Sequence, residues 1–437
     1  YGIPTPISQA QIDYFNNSKN LSNLRYGFYK VKVKTKDKEA IPLHAEKCNR
    51  LLFSQYEDQK ELTLFSEEIK MGYKLGIYEY ELIDGYAFKK ERYMKKFFNS
   101  GFENKNEAKK NDHDALAFVW KIIINSGYGF WGLNTMGKDK QGRDGVKIFK
   151  NGDGDFWNYL EQEKLVNIGQ YGGYTIIRKL EELSVKDFSV AVASAITSYS
   201  RMKLYRLMKA VKDAGEELLY SDTDSIITTL KLSDHDDIIK RFDWDKVNNI
   251  RSNGDILGSL KNEADDDVKK HFQTKYKNEW LFHYNKQKEI DGGEFHFDSL
   301  IGAGCKQYAL QKKLYNGEII ETCKLKGFKK DKKNKLSFDK MDKLMQGYYK
   351  ELDIRNTNKK LSKKALDALV KNQLKDLLIH QDQIQFVSPL TSHISENDKM
   401  EIKKNTINKW FKVGYSKGNI QDNGYVKPLV WKDNKWN

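Results

Sequence analysis

The sequence predicts an α+β protein made of two or three packed units. Three observations support this class: the chain has 437 residues, strand-like patterns near the start give way to helical ones, and strand-like patterns return later. Its hydrophobic residues make up 39% of the chain and its aromatic residues 13%, which is enough for substantial cores. The composition therefore argues against a disordered chain.

The first half of the chain alternates between strand and helix signals. Residues 25–92 predict strands with turns, as in the alternating "YGFYKVKVKT", and the pattern becomes helical from 93 to about 130. The Gly-, Asn- and Asp-rich segment 131–175 predicts loops with short strands. A helix is predicted over 187–214, with Gly215 placed to end it.

The second half begins with a predicted strand–turn–strand at 218–230. Residues 231–300 predict acidic loops and helices, and strands return at 294–325. The last hundred residues are basic, and we expect them to be partly helical and to end in short strands.

Charge and cysteine content limit the class of partner. The chain has 76 Lys and Arg against 61 Asp and Glu, a net charge of +15 that favours a polyanion, above all nucleic acid, over a merely solvated lysine-rich surface. Three widely spaced cysteines predict neither a disulfide framework nor a zinc cluster, and they fit a reducing, intracellular environment. No stretch approaches the roughly 20 apolar residues of a membrane span, so we expect no membrane partner.

Two aspartates interrupt the apolar stretch "LLYSDTDSII", residues 218–227. An isolated carboxylate beside buried strands is costly, so Asp222 and Asp224 need an explanation. Carboxylate oxygens at one tight turn are ligands that Mg²⁺ prefers, and two such ions can assist phosphoryl transfer. The alternative is an ordinary polar hairpin tip. This pattern alone leaves both interpretations open.

A second motif, "KIIINSGYG", covers residues 121–129 at the end of a predicted helix. At 100° per residue, Lys121, Asn125 and Tyr128 fall within an arc of roughly 60° on one helix face. A cation, an amide and an aromatic ring on one face suit a nucleoside triphosphate, and the alternative is chance spacing on a surface helix.

The boundaries and packing of this helix are also predicted. We expect it to start near Ala108, with Ala115, Val119 and Ile122 forming the apolar stripe that packs. Lys110 would then lie close to the face of the motif if the helix is unbroken.

A third motif is "CKQYAL", residues 305–310. If this segment is a strand, Lys306 and Tyr308 point to the same side and can grip a nucleic-acid backbone together. By itself the motif is common by chance.

Taken in this order, the three motifs resemble those of family B DNA polymerases. "YSDTDSI" resembles that family's YxDTDS motif, "KIIINSGYG" its KxxxNSxYG motif and "KQY" its KxY motif. The layout is similar to the protein-primed branch found in linear plasmids of mitochondria, viruses, mobile elements and phages. The resemblance covers residues 1 to about 325 and becomes faint after that.

The resemblance implies roles for the DTD turn. Asp224 would be the principal ligand of a pair of Mg²⁺ ions, for which Mn²⁺ is an alternative, and Asp222 would support the second ion or the primer terminus. Tyr220 and Thr223 would shape the turn beside the bound nucleotide. Lys306 would hold the primer strand together with the tyrosine of its motif.

The resemblance also implies a nucleotide site on the helix. Lys121 would contact the incoming phosphates, Asn125 and Tyr128 would line the pocket, and Ser126 and Gly129 would let the helix and DNA approach closely. A second phosphate-binding lysine would be one of the two at 109 and 110, Lys109 or Lys110.

The implied fold is a polymerase right hand with palm, fingers and thumb but without the N-terminal exonuclease domain. The expected division is 1–92 as a strand-rich region similar to terminal-protein region 1, 93–130 as fingers, 131–186 as a loop-rich insertion similar to terminal-protein region 2, 187–325 as palm, and 326–437 as thumb and C-terminal strands.

Two departures qualify the match. No aspartate between Tyr1 and Lys121 is followed by the SLYP of the family's other catalytic motif, and "YGIPTP" resembles the segment just downstream of that motif in the family. We therefore expect a C-terminal portion of a longer polymerase. Gly127 replaces a bulky residue of the family pattern, and we expect it to loosen the helix.

The expected function is template-directed, protein-primed DNA synthesis. The expected partners are primer–template DNA, dNTPs and a terminal priming protein, with the chain a monomer. The favoured location is the mitochondrion, and the alternative is a viral or mobile-element replication site. The alternatives are a truncated segment that only binds DNA, and a two-metal nuclease or reverse transcriptase.

Overall fold

A computed structural model gives the fold. The residues it describes are 4–48, 51–90, 94–132, 146–162, 166–171, 174–179, 189–231, 234, 262–325, 336–373, 385–394, 401–408, 417–421 and 425–437. Helices and strands are interspersed along the chain and the sheets are antiparallel, so the predicted α+β class is confirmed.

Within these residues the α-helices are α1 Gln9–Ser18, α2 Ser66–Lys74, α3 Lys95–Lys110, α4 Asp114–Gly129, α5 Asp155–Gln162, α6 Val190–Asp213, α7 Glu263–Tyr276, α8 Trp280–Ile290, α9 Phe338–Thr357 and α10 Lys363–Gln373. The strands are β1 Thr5–Pro6, β2 Gly27–Thr35, β3 Ala45–Lys47, β4 Leu51–Phe53, β5 Gln55–Tyr56, β6 Lys60–Phe65, β7 Tyr78–Ala87, β8 Val146–Lys150, β9 Val166–Tyr171, β10 Tyr174–Lys179, β11 Leu218–Asp222, β12 Ser225–Thr228, β13 Ser299–Gly304, β14 Gln307–Lys313, β15 Ile319–Leu325, β16 Gln385–Ile394, β17 Glu401–Asn408, β18 Gly418–Ile420, β19 Val426–Pro428, β20 Val430–Lys432 and β21 Lys435–Trp436.

The chain divides into two compact units. Unit 1 comprises Tyr1–His44 and Tyr56–Lys203, and unit 2 comprises Ala45–Gln55 and Leu204–Asn437. Unit 1 holds a four-stranded sheet in the order β1-β7-β2-β6 and a three-stranded sheet in the order β8-β10-β9. Unit 2 holds the hairpin β11-β12, the sheet β13-β14-β15 and several short strand pairs.

The core of unit 1 lies on one face of β2. Tyr29, Val31 and Val33 alternate with lysines and are fully buried, as the pattern "YKVKVK" predicts. The helix α2 was not predicted: it interrupts a region that the sequence indicated as strands with turns. Its Gly72 lies so close to β7 that an added Cβ would lie 2.1 Å from the Tyr80 hydroxyl, which explains a glycine inside this short helix.

Buried polar groups also hold unit 1 together. The Glu68 carboxylate of α2 is almost fully buried and accepts hydrogen bonds from Arg201 and Ser198 of α6, with the nearest Arg201 nitrogen 2.7 Å away. His44 is fully buried, its Nε2 lies 2.6 Å from the Tyr80 hydroxyl, and its ring stacks on Tyr78 at 4.5 Å. These contacts satisfy the Glu68 carboxylate and the His44 Nε2 atom, which would otherwise be costly to bury.

The predicted helical region from 93 to 130 is two helices rather than one. α3 ends at Lys110 and α4 begins at Asp114, so the expected helix start near Ala108 is wrong. The His113 N–H bonds the Ala108 carbonyl across the connection, and α3 and α4 pack together as a helical hairpin. Lys110 therefore belongs to the preceding helix and does not share the helix of Lys121.

The packing face of α4 also differs from the prediction. The expected stripe of Ala115, Val119 and Ile122 is exposed, and Ala117 is the buried residue of the helix. On the packed side, Ile124 lies against Gly101 of α3. The reason for the error is that α4 is apolar on nearly all sides, so its sequence does not indicate which side packs.

The close packing of α3 and α4 explains Gly127. A Cβ added there would lie 2.9 Å from a ring carbon of Phe97 and 3.5 Å from Phe98. Gly127 therefore allows two aromatic rings to pack against α4, and the expectation that it loosens the helix stays a prediction.

The predicted helix over 187–214 is confirmed as α6. Its C-terminus carries a Schellman motif: Gly215 has φ +81°, its N–H bonds the Lys212 carbonyl, and the Glu216 N–H bonds the Val211 carbonyl. The strands predicted at 218–230 and 294–325 are present, and the short helix α5 was missed in a segment predicted as loops and strands.

Unit 2 contains two apolar clusters around the sheet β13-β14-β15. In one, Met341, Leu344 and Met345 of α9 pack on Ala303 and Ala309 of the sheet. The other unites the helix α7 with residues just before β13 and just after β14, and its members are Ala264, Val268, Phe272, Phe295 and Leu314. The sheet is thus fixed by helices.

In the part of the chain that the structure describes, no helix is both long and apolar enough to cross a membrane. Cys48 and Cys305 are exposed and Cys323 is half-buried, and none of the three forms a disulfide.

Candidate active site

The DTD motif forms the turn of the hairpin β11-β12. Asp222 pairs with Ser225, so the loop between the strands is only Thr223 and Asp224. Thr223 has φ +52°, although a first loop residue with positive φ is usually glycine, and a β-branched residue there is strained by about 1–3 kcal/mol. The Asp224 N–H bonds the Asp222 carbonyl at 2.6 Å and closes the turn.

The two carboxylates of the turn have different surroundings. One Asp222 oxygen accepts a hydrogen bond from the Thr223 hydroxyl at 2.9 Å, and the other lies 3.5 Å from the Lys306 ammonium. The Asp224 side chain is exposed, and no described residue forms an ion pair or side-chain hydrogen bond with it. The turn therefore offers one carboxylate that is already paired and one whose oxygens are accessible.

The KQY motif forms a second hairpin turn, between β13 and β14. Gly304 pairs with Gln307, which leaves Cys305 and Lys306 as the loop, and Lys306 has φ +59°. The prediction that Lys306 and Tyr308 share one strand face is wrong because Lys306 is in the turn and only Tyr308 is in β14. The wrong strand boundary is the cause of the error.

The two hairpins are in direct contact in unit 2. The Tyr220 hydroxyl accepts a hydrogen bond from the Lys306 backbone N–H at 2.9 Å. The rings of Tyr220 and Tyr308 lie 4.9 Å apart, tilted by 52°. Two motifs far apart in the sequence, "YSDTDS" and "KQY", thus form one site.

Tyrosine protonation depends on these surroundings. Burial raises the pKa of Tyr220 above its ordinary value, the Lys306 N–H partly offsets this, and the Asp222 charge adds to it. Burial also raises the pKa of Tyr308, with further increases from Glu263 and Asp222. Both hydroxyls therefore keep their protons at neutral pH.

The hairpin β11-β12 is anchored on one side. Ile226 packs against the cluster of Leu207, Val211 and Leu230, which joins the last turns of α6 to the end of the hairpin. Leu219 on β11 is exposed. The small apolar cluster thus anchors the hairpin, while the tip of the turn is exposed.

Sequence reasoning missed the acidic residues of α7. Glu263 and Asp267 both act on Tyr308 through their charge. Acidic residues in the first turn of a helix are ordinary because they complement the helix dipole, so no signal in the sequence distinguished them. The nearby cap residue Asn262 bonds the backbone N–H groups of residues 264 and 265 and fixes the start of α7.

The residues of the "KIIINSGYG" motif all lie on α4, in unit 1. Lys121, Asn125 and Tyr128 are exposed, and so are Ser126 and Gly129. Their spacing on one helix matches the predicted arc of roughly 60°. Their placement opposite the DTD turn stays a prediction.

The donor set of the DTD turn fits a hard divalent cation. Carboxylate oxygens are the ligands that Mg²⁺ prefers, and the accessible oxygens of Asp224 together with those of Asp222 supply them. Among the described residues, no group of three or more His, Cys, Asp or Glu side chains is arranged to hold a metal ion. The turn can therefore contribute two ligands, with the remaining positions open to water or phosphate.

Comparison with known families gives a match over nearly half of the chain. Residues 1–214 match the model of the family described as "DNA polymerase type B, organellar and viral". This range includes the "KIIINSGYG" motif and ends shortly before the DTD turn.

Two curated relatives extend the similarity. A "Probable DNA polymerase" of Neurospora intermedia is 25% identical over 376 residues, which cover 84% of this chain and 32% of the relative. Because this match covers 84% of the chain, it includes the DTD turn, which lies near the middle of the sequence. A "Probable DNA polymerase" of Podospora anserina is 26% identical over 253 residues, 51% of this chain and 20% of the relative. The chain thus spans about a third of the length of the first relative.

Among solved structures, phi29 DNA polymerase complexed with single-stranded DNA matches 78% of this chain and 49% of its own, with 15% identity and a TM-score of 0.42. The same polymerase with primer-template DNA matches 72% and 45%, with 16% identity and a TM-score of 0.39. These scores are too low to support an argument. The family match over residues 1–214 and the curated relatives nevertheless confirm the resemblance drawn from the motifs: the chain is similar to the type B DNA polymerases of the organellar and viral kind.

Proposed function

We propose that this chain is the polymerase part of a protein-primed DNA polymerase, which adds dNTPs to a 3′-hydroxyl on a DNA template. The observation that carries the proposal is the contact between the DTD hairpin and the KQY hairpin. It brings a cation, a pair of carboxylates and two aromatic rings into one exposed site of unit 2. A site that must accept both a metal ion and a polyanion needs both signs of charge.

In this proposal Asp224 is the principal ligand of a pair of Mg²⁺ ions, and Asp222 supports the second ion or the primer end. The bound ions would lower the pKa of the attacking hydroxyl and offset charge on the phosphate. Asp224 suits the role because its oxygens are accessible, whereas Asp222 is already paired with Lys306. Lys306 and Tyr308 would bind the primer strand beside this turn.

The helix α4 would bind the incoming nucleotide. Lys121 would meet the triphosphate, and Asn125 and Tyr128 would meet the base and sugar, because these groups are exposed at helical spacing. Lys109 or Lys110, both exposed at the end of α3, would supply a second cation. The fingers would then be the hairpin of α3 and α4.

The remaining assignments rest on the family resemblance. We propose residues 1–92 and 131–186 as contacts for the terminal protein, 187–325 as palm and 326–437 as thumb, in a monomer. The net charge of +15 supports a DNA partner. A mitochondrial location is proposed on the same resemblance.

Primer extension tests the proposal. The purified chain, and the complete product of the gene that encodes it, would be given labelled primer–template DNA, Mg²⁺ and either dNTPs or rNTPs. The proposal predicts template-dependent extension with dNTPs by at least the complete product. Shortening of the primer would instead indicate a nuclease, and salt-sensitive DNA binding without extension by either protein would indicate a segment that only binds DNA.

A further inference from the structure

The contact between the two hairpins is made by one residue of the DTD motif. Tyr220 bonds the Lys306 backbone through its hydroxyl and contacts the Tyr308 ring with its own ring. The same Lys306 directs its ammonium to Asp222, 3.5 Å away. Tyr220 is thus connected to Asp222 through a lysine on the other hairpin.

The backbone of Lys306 needs such an anchor. Lys306 has φ +59°, a left-handed conformation that costs a non-glycine residue about 1 kcal/mol, in an exposed two-residue loop. A lysine side chain has four rotatable bonds and loses up to about 2 kcal/mol of entropy when it is fixed. Without the hydrogen bond to Tyr220, both the loop and the ammonium would be free to move.

The position of the ammonium matters for a polyanion. Asp222 and Asp224 place two negative charges within one turn, and these repel DNA phosphates when no divalent ion is bound. A lysine ammonium beside Asp222 offsets one of these charges. The turn can then accept DNA before the metal arrives.

We propose that Tyr220 is a positioning residue, whose hydroxyl holds the Lys306 loop so that the ammonium stays at Asp222 and the primer end can approach the DTD turn without bound metal. The inference rests on the proposed function and adds to it an order of binding, with DNA ahead of the ions. In this proposal Tyr220 acts on the Lys306 hairpin as well as on its own turn.

Fluorescence anisotropy with a labelled primer–template duplex, in EDTA and at low salt, tests this proposal on the full chain. We expect Tyr220→Phe, which deletes only the hydroxyl, to weaken binding about threefold to tenfold. Lys306→Met should weaken it further, and the double variant should bind like Lys306→Met alone. Tyr14→Phe and Lys34→Met, at exposed positions on α1 and β2, are matched controls and should change binding less than twofold.

Two additional variants separate positioning from folding. Lys306→Arg keeps the charge and should bind DNA nearly as well as the unaltered chain. Asp222→Asn, added to Lys306→Met, should recover part of the lost binding because it removes the carboxylate charge that no longer has a partner. Additive effects of Tyr220→Phe and Lys306→Met, or no rescue by Asp222→Asn, would overturn the inference. Failure of the unaltered chain to bind DNA would instead overturn the proposed function itself.

Discussion

The Lys306 ammonium lies 3.5 Å from a carboxylate oxygen of Asp222, although 84 positions of sequence separate the two residues. The pair joins the turn of one hairpin to the turn of another, and Tyr220 reinforces it with a hydrogen bond to the Lys306 backbone. The remaining carboxylate of the turn, Asp224, has no such partner among the described residues. Lys306 thus pairs with Asp222 and leaves the oxygens of Asp224 accessible for the metal ion that we propose there.

The salt dependence of DNA binding should report Lys306 directly. A lysine that neutralises one phosphate releases about one counterion, so Lys306→Met should lower the slope of log affinity against log salt by about 1. Titrations of duplex DNA between about 50 and 200 mM salt would measure this. An unchanged slope, equal to that of the control Lys34→Met, would show that Lys306 does not contact DNA.

His44 should make the chain less stable in mild acid. Burial, helped by the charge of Arg201, lowers the pKa of His44 to about 3, whereas the unfolded chain takes up the proton near pH 6.5. Between these values the unfolded state binds more protons, so the stability contributed above pH 6.5 is lost progressively as the pH falls. The loss is roughly 1 kcal/mol at pH 5.5, and urea unfolding at several pH values would measure it.

The matched variants are His44→Gln and His113→Gln, of which the second changes an exposed histidine. His44→Gln should flatten the dependence of stability on pH below 6.5, and His113→Gln should leave it unchanged. Parallel curves for the unaltered chain and His44→Gln would contradict the assignment.

Gly127 should tolerate no side chain. Gly127→Ala places a Cβ 2.9 Å from the Phe97 ring, and such overpacking costs about 1–3 kcal/mol. Gly129→Ala is the control on the same helix, because nothing lies within 4 Å of its Cβ position. Thermal unfolding should show a loss for the first variant only, and Phe97→Leu should reduce that loss. Equal effects of the two alanines would refute the packing argument.

Removal of one partner from the buried pair of Glu68 and Arg201 should destabilise the chain more than removal of both partners. Arg201→Met leaves an uncompensated carboxylate that is 1% exposed, which costs about 3–5 kcal/mol. The double variant with Glu68→Gln should recover much of this loss. Arg355→Met removes partly exposed pairs with Glu351 and Asp367 and should cost about 1 kcal/mol. Denaturant unfolding would compare the three variants.

The sequence predicted those elements whose local signals and tertiary contacts agree. The helix α6 has an apolar repeat and a glycine at its C′ position, and the structure has a helix there that ends at this glycine. The DTD hairpin was predicted from two apolar runs around a polar turn. Local pattern succeeds in these cases because each element packs through the side that its periodicity indicates.

Where local pattern is ambiguous, the prediction failed. α4 is apolar around most of its surface, so its packed side is set by Gly101 of α3 rather than by its own repeat. The sequence predicts a strand at Lys306 because the two loop residues, Cys305 and Lys306, are neither glycine nor proline, and only the pairing of Gly304 with Gln307 reveals the turn. The contact of Tyr220 with Lys306 has no local signal, since it depends on how two distant hairpins pack.

The most direct test of the central claim compares Asp224→Asn with Asp222→Asn in primer extension by the complete gene product, with Asp353→Asn on the surface of α9 as control. If Asp224 holds the metal ions, its variant should lose about a thousandfold or more in rate, Asp222→Asn should lose less, and the control should match the unaltered protein. Undiminished extension by Asp224→Asn would contradict the account.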